Sequence, residues 1–312
     1  MMLSVSHELT MPRGTEECIE ALFRKFKKEY TNYYQKQVKR LQKRYSDITN
    51  PNRRTGKALK NICFFIWYCT KTTKNDPPNV IFKTLVLFFA QDDFCDNPQI
   101  SYLTKQEFYS ICDNLLEKKR YKVPNTYTLQ FKEIIKLWRE IVKEIGNFSP
   151  QLYSYWKKTA QQMNNAMRKE EYKPHGQIVP FDEYMRSAIY SIGAIFIWTT
   201  YFIIKKVPIE ILKTLEPALL NGATIVRLSN DLASYRENKN KVNAVNIVRD
   251  KKNPEKYISE LIEKESQKLD EDLRKLNVEN WIKQTIQRST KFLIEFYKNT
   301  DFTKDISSTS IG

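Results

Sequence analysis

Two short stretches of the sequence concentrate side chains able to hold a divalent cation. The first is Gln91-Asp92-Asp93-Phe94-Cys95-Asp96, directly after the apolar run Leu85–Ala90. Asp92 and Asp96 are four residues apart and share one helix face, with Asp93 beside them. Three carboxylates ending an apolar helix repel one another, and such like charges are costly near an interior unless a cation offsets them. Oxygen donors without His select a hard ion such as Mg2+. A solvated helix end or cap presents the same residues, so the triplet alone decides nothing.

The second stretch runs from Arg227 to Asn238 and contains Asn230-Asp231-Leu232-Ala233-Ser234. Asn230 and Ser234 are four apart and Glu237 follows three later, so an amide, a hydroxyl and a carboxylate share one helical stripe. Ile225, Leu228 and Leu232 mark the buried side of the same helix. Alone, this stripe reads more simply as a polar solvated face. Together, two oxygen-bearing stripes on separate apolar helices can face each other across a pocket. They could then clamp a diphosphate through bridging Mg2+, with nearby Arg and Lys stabilising the leaving group.

The elements that must position these stripes are helical. Apolar residues recur at three- to four-residue spacing over Lys57–Cys69, Asn79–Asp93, Lys105–Glu117, Leu129–Ile145, Gln151–Arg168, Phe181–Lys205, Glu216–Asn238, Pro254–Leu276 and Val278–Lys298. Arg24–Arg44 reads as a further amphipathic helix with a basic outer face. Breaks come at Pro77-Pro78, Asn97-Pro98, Pro124-Asn125, Gly146–Pro150, Pro174–Gly176, Val207-Pro208 and Asn253-Pro254. No alternating strand pattern, repeat or shift in composition marks a second domain. The expectation is an all-α single domain of about ten helices over 1–304, with 305–312 a disordered tail. The longest apolar run, Ala188–Ile204, approaches transmembrane length, but Ser191, Gly193, Thr199 and Thr200 interrupt it. It is expected to be a buried central helix, with no transmembrane span.

Composition excludes several classes. Of 312 residues only 7 are Gly, too few for a Gly-rich phosphate cradle or a turn-dense sandwich. Five Cys, odd in number and without CxxC spacing, argue against a disulfide framework or a structural zinc site, and a reducing cytoplasm fits. Two His leave little for a His-based site. The first fourteen residues carry no basic segment followed by an apolar core. With 52 Lys and Arg against 36 Asp and Glu, the net charge is 52 − 36 = +16. That excess suits a nucleic acid, an anionic lipid or a phosphorylated small molecule, or simply a solvated lysine-rich surface.

With both motifs in view, the sequence resembles the class I terpene synthases. Asp92-Asp93-Phe94-Cys95-Asp96 matches the family's DDxxD motif, and Asn230-Asp231-Leu232-Ala233-Ser234 matches the start of its NDxxSxxxE motif. Tyr184–Gly193 resembles the segment leading to the family's kinked helix. Arg288, Phe296-Tyr297 and Asp301-Phe302 resemble the C-terminal segment that closes over the site. Length and motif separation suit the single α-domain microbial members. The family's Glu, eight residues after the Asn, falls on Asn238 here, so Glu237 or Asn238 supplies the third ligand, with the carboxylate favoured.

The resemblance implies a class I isoprenoid synthase fold, helices around a central apolar pocket. It also implies Mg2+-dependent ionisation and cyclisation of a linear prenyl diphosphate, farnesyl or geranylgeranyl, to a terpene hydrocarbon or alcohol with release of diphosphate. Three Mg2+ ions (or Mn2+ in their place) would be held by Asp92, Asp96, Asn230, Ser234 and Glu237 or Asn238. Asp92, Asp93, Arg227 and Tyr297 would be catalytic, and Arg227, Arg186 and Lys298, with Arg236, would contact the diphosphate. Phe65, Phe88, Phe89, Trp198 and Tyr297 are the expected pocket wall, since aromatic faces attract cations. No nucleic acid is expected, and the chain is expected to be a monomer or homodimer. The alternatives are a chain-elongating prenyl diphosphate synthase, a catalytically silent relative, or a non-catalytic basic helical binding protein.

Overall fold

Few Gly interrupt the apolar periodicity, so local propensity and burial favour the same helices. The computed structural model of the protein describes residues 32, 35–70, 79–119, 121–171, 179–237, 244–249 and 251–299, and these residues contain no strand. A helical stretch over 35–44 precedes α1 (Arg54–Thr70), α2 (Asn79–Cys95), α3 (Tyr102–Leu116), α4 (Leu129–Ile145), α5 (Pro150–Glu171), α6 (Phe181–Ser191), α7 (Ala194–Ile204), α8 (Ile209–Glu237), α9 (Ala244–Ile247), α10 (Pro254–Lys275) and α11 (Asn280–Asn299). This is the all-α architecture expected. Side chains cap several of these ends: Ser101 accepts from the Thr104 amide, Thr128 from Phe131, and Asn253 from Lys256, with Pro254 in the first turn of α10.

Three expectations are revised. The pattern over Phe181–Lys205 predicts one helix, but the chain breaks it at Ile192-Gly193. Gly193 takes φ 72°, a left-handed conformation that a side chain would strain. The helix carrying the second motif starts at Ile209, seven residues before Glu216, and runs through Pro217. That proline lies on the exposed side, where water can satisfy the carbonyl it leaves without a partner. Helix α9 is a single turn, too short for a periodicity to announce it. The expected tail 305–312 and the far end of the expected domain lie outside the described residues, as does Arg24–Arg44 up to its helical stretch at 35–44.

The core is built on α7. Nine of its side chains are buried, including Phe196, Trp198, Tyr201 and Phe202, and it packs against α2, α5 and α8. Each such burial contributes about 1.5–3 kcal/mol. Taken as one stretch, Phe181–Ile204 is long and apolar enough to cross a membrane by length and composition, yet most of it is buried inside the protein. Trp138 (α4), Trp156 (α5) and Phe196 meet at ring-centroid distances of 5.7–6.4 Å. Their polar edges are satisfied, Trp138 donating to Gln91 at 3.0 Å and Trp156 to Thr200 at 2.9 Å. Helix α8, 29 residues long, packs against α10, α11, α6 and α7.

Candidate active site

Gln91 fixes which way the first motif points. It is fully buried, donates to Asn164 on α5 at 3.0 Å and accepts from Trp138 on α4 at 3.0 Å. With Gln91 turned inward, Asp92 and Asp93 come out half-buried, and Asp96, the residue just past the end of α2, is exposed with its amide donating to the Asp92 carbonyl at 2.8 Å. Arg54, at the first residue of α1, donates to Asp92 at 2.5 Å and lies 3.5 Å from Asp96. Burial and the neighbouring Asp96 carboxylate push Asp92 up to about 6, against the pull of Arg54 and Arg227. Burial also raises Asp93, which Arg53 and Arg54 partly oppose.

The second motif carries a buried ionic network beside its stripe of oxygen donors. Arg227 lies 2.9 Å from Asp231, donates to Tyr184, and comes within 3.4 Å of Ser191 and 3.5 Å of Glu170. Tyr184 donates to Asp231 at 2.7 Å, and Ser191 donates to Glu170 at 2.6 Å. The Ala244 amide donates to the same Asp231 carboxylate at 3.0 Å. Burial works against the Arg227 charge, but Asp231, Tyr184 and Glu170 outweigh it and hold the guanidinium protonated. Burial drives the Tyr184 phenol well up, so it stays a neutral donor and acceptor. Asn230 and Ser234 are partly exposed on the neighbouring stripe. The Glu237 side chain and Asn238 lie outside the described residues, so the choice between them stays a proposal.

Between the two motifs lies an apolar hollow of about 40 Å³. Phe65, Phe88, Phe89, Trp198 and Tyr297, the five aromatics expected to form a pocket, all line it, with Leu85, Ile192, Ala194, Ile197, Val226 and Leu293. Trp198 directs its N–H away to Ser289 at 2.7 Å and shows the hollow its ring. Phe88 lies against Gly193, where a Cβ would meet its ring at 2.4 Å. Phe89 is three residues before Asp92 and Val226 four before Asn230, so on both helices the motif sits about one turn beyond the wall. The charges of Arg227 and Glu170 act on Asp92, so the ionic network on α8 and the first motif are near enough to influence each other.

Other expected residues fall elsewhere. Arg186 is exposed on α6 and donates to the Asp182 carbonyl of its own helix at 3.3 Å. Tyr184, two residues earlier, faces inward to Arg227 instead. Lys298 and Arg236 line a separate hollow of about 370 Å³ between α8, α10 and α11, where they pair with Glu295 and Glu255. Arg288 bonds Gln284 at 2.8 Å. Sequence reasoning missed Gln91, Arg54, Glu170 and Tyr184 as parts of the site. Gln91 had a signal, a polar residue inside an apolar helix; Arg54, thirty-eight positions upstream of Asp92, had none.

Among the described residues no three His, Cys, Asp or Glu side chains form a ready-made metal cage. The donor set nonetheless fits Mg2+, which characteristically takes one or two carboxylates and completes its shell with water and substrate phosphates. Asp92 in the last turn of α2 and Asp96 just past its end, with Asn230 and Ser234 on α8, are oxygen donors of that kind.

Comparison with known proteins agrees. The family model described as terpene synthase family 2, C-terminal metal binding, matches residues 83–255. The chain belongs to this family. Among solved structures it is similar to abietadiene synthase from Abies grandis (17% identity, TM-score 0.66), covering 86% of this chain and 38% of that one. The chain thus spans well under half the length of that relative. It is also similar to 2-methylisoborneol synthase from Streptomyces coelicolor A3(2) in complex with Mg2+ and 2-fluoroneryl diphosphate (8% identity, TM-score 0.64, 88% and 91% covered). Hedycaryol synthase in complex with nerolidol is a further match (14%, TM-score 0.61, 85% and 93%). At these identities the likeness is one of fold, the class I terpene synthase fold. No curated protein sequence matches the chain.

Proposed function

We propose that the protein binds a linear prenyl diphosphate with Mg2+ and ionises and cyclises it to a terpene hydrocarbon or alcohol, releasing diphosphate. One observation carries the reading: a largely apolar, aromatic hollow is walled by residues one helical turn before two oxygen-bearing motifs on separate helices. The family adds weight, as does a fold neighbour bound to Mg2+ and a prenyl diphosphate analogue. Farnesyl and geranylgeranyl chains are the substrates in view, and Mn2+ is an expected substitute for Mg2+.

In this proposal Asp92 and Asp96, with Asn230, Ser234 and Glu237 or Asn238, hold the metal. Mg2+ bound there supplies positive charge that favours departure of the diphosphate. Arg227 is charged, held in place from several sides, and aimed beside the motif, so it can donate to the diphosphate with little reorganisation. Asp93 adds negative charge next to the ligands. The hollow supplies no carboxylate, amine or thiol that would trap a carbocation, while its ring faces stabilise one by about 2 kcal/mol or more when dry. Tyr297 closes the wall from α11.

The test is incubation with Mg2+ and C10, C15 and C20 prenyl diphosphates, followed by mass spectrometry of the extracted organic phase. Mg2+-dependent cyclic products are expected from at least one of them. Longer prenyl diphosphates on addition of isopentenyl diphosphate, or no turnover of any substrate, would overturn the proposal.

A further inference from the structure

Asp92 already has a partner. Arg54 stands at the N-terminus of α1, where the helix dipole disfavours a cation. Its guanidinium nevertheless reaches across to α2 and contacts Asp92 at 2.5 Å and Asp96 at 3.5 Å. The adjacent Arg53 is tied elsewhere, to Asp47 at 2.7 Å and Gln130 at 3.3 Å, so Arg54 is the one directed at the motif. Arg53 and Arg227 bear on Asp93 and Asp92 by charge, but Arg54 faces Asp92 and Asp96 directly. The atom it contacts, Asp92 Oδ2, belongs to the same carboxylate a divalent ion would need.

We infer that Arg54 is a displaceable counter-cation of the aspartate motif: it neutralises the motif in the metal-free protein and must yield Asp92 when the metal enters. This rests on the reading of Asp92 and Asp96 as metal ligands. A monovalent side chain, 42% exposed, restrains the repulsion among the aspartates without closing the site. It thereby sets the metal concentration at which the site fills.

The test is direct Mn2+ binding by electron paramagnetic resonance, on the full chain without substrate, alongside thermal unfolding in chelator. Arg54→Gln should bind Mn2+ about five- to tenfold more tightly, the effect of removing one competing charge at a partly exposed site. It should also unfold at lower temperature in chelator, and Mn2+ should raise its melting temperature by more than it raises that of the wild type. Arg54→Lys keeps the charge and should stay near wild type in both measurements. Unchanged or weaker Mn2+ binding by Arg54→Gln, with Asp92→Asn still abolishing binding, would overturn the inference and leave the metal site standing. Equal Mn2+ binding by wild type and Asp92→Asn would sink the metal-site reading itself.

Discussion

Glu140 on α4 and Asp92 on α2 are both carboxylates set against buried apolar surface, yet they shift in opposite directions. Glu140 is disfavoured by burial, but Tyr45, Arg44 and Lys83 all donate to it and carry it down to about 2. Glu133, about two turns earlier on the same helix, accepts from the Asp47 and Ile48 amides at 3.0 Å. These groups are fully answered by their own fold and pin the segment around Arg44–Ile48 to α4. Asp92 is in direct contact with Arg54, with Arg227 acting on it as well, yet burial and a like charge four residues away outweigh them and raise it to about 6. A carboxylate the fold satisfies is structural; one it leaves short of donors is available to a ligand from outside.

Exchanging the two kinds of group tests that contrast. The largest effect is expected from Asp92→Asn, which should lower Mg2+-dependent turnover of the preferred prenyl diphosphate about a thousandfold or more. Its melting temperature in chelator should hold or rise, because a carboxyl whose pKa is raised opposes folding when ionised. A fall in stability comparable to that of a core mutant would place Asp92 with the structural carboxylates.

Arg227→Gln should affect both properties. It leaves Asp231 buried against Tyr184 and the Ala244 amide with no cation, a loss of about 3 kcal/mol or more in denaturant unfolding. In protein that still folds, KM for the diphosphate should rise. Gly193→Ala should cost about 1–3 kcal/mol, from the left-handed backbone and from the displaced Phe88 ring. It should also change the product profile rather than the metal dependence.

The smallest effect belongs to Glu140→Gln, a loss of about 1–2 kcal/mol with kcat unchanged, read from chemical denaturation and steady-state kinetics. The sign of its pH dependence follows from the lowered pKa. The Glu140 contribution is complete above the unfolded carboxyl range near 4 and is lost as pH falls towards about 2. Acid titration of wild type and Glu140→Gln should therefore converge at the acid end. A difference that persists undiminished below pH 2 would separate Glu140 from the stability it is assigned.

Much of this was legible in the sequence, because it depends on local spacing. Most helices and the two motif stripes are set by residues three and four apart, whereas the five wall aromatics follow from the family resemblance. What was not legible depends on residues far apart in the chain. Arg54 meets Asp92, Glu170 meets Ser191 and Arg227, and Tyr184 rather than Arg186 turns inward, all across helix pairs whose rotation only packing decides. The break at Gly193 was written in the sequence, but a long apolar run outweighed a single glycine. The seven helical residues before Glu216 went unpredicted, and Pro217 sits within the helix because an exposed face tolerates a lost hydrogen bond.

The hollow between Phe89 and Trp198 has a corollary. Ligand cavities usually enclose about 300–1,000 Å³, whereas this one holds about 40 Å³, space for only a few water molecules. On the proposed function, a hydrocarbon tail would have to part Phe88, Trp198 and their neighbours to enter, so the wall would take its contour from the tail as much as the tail from the wall.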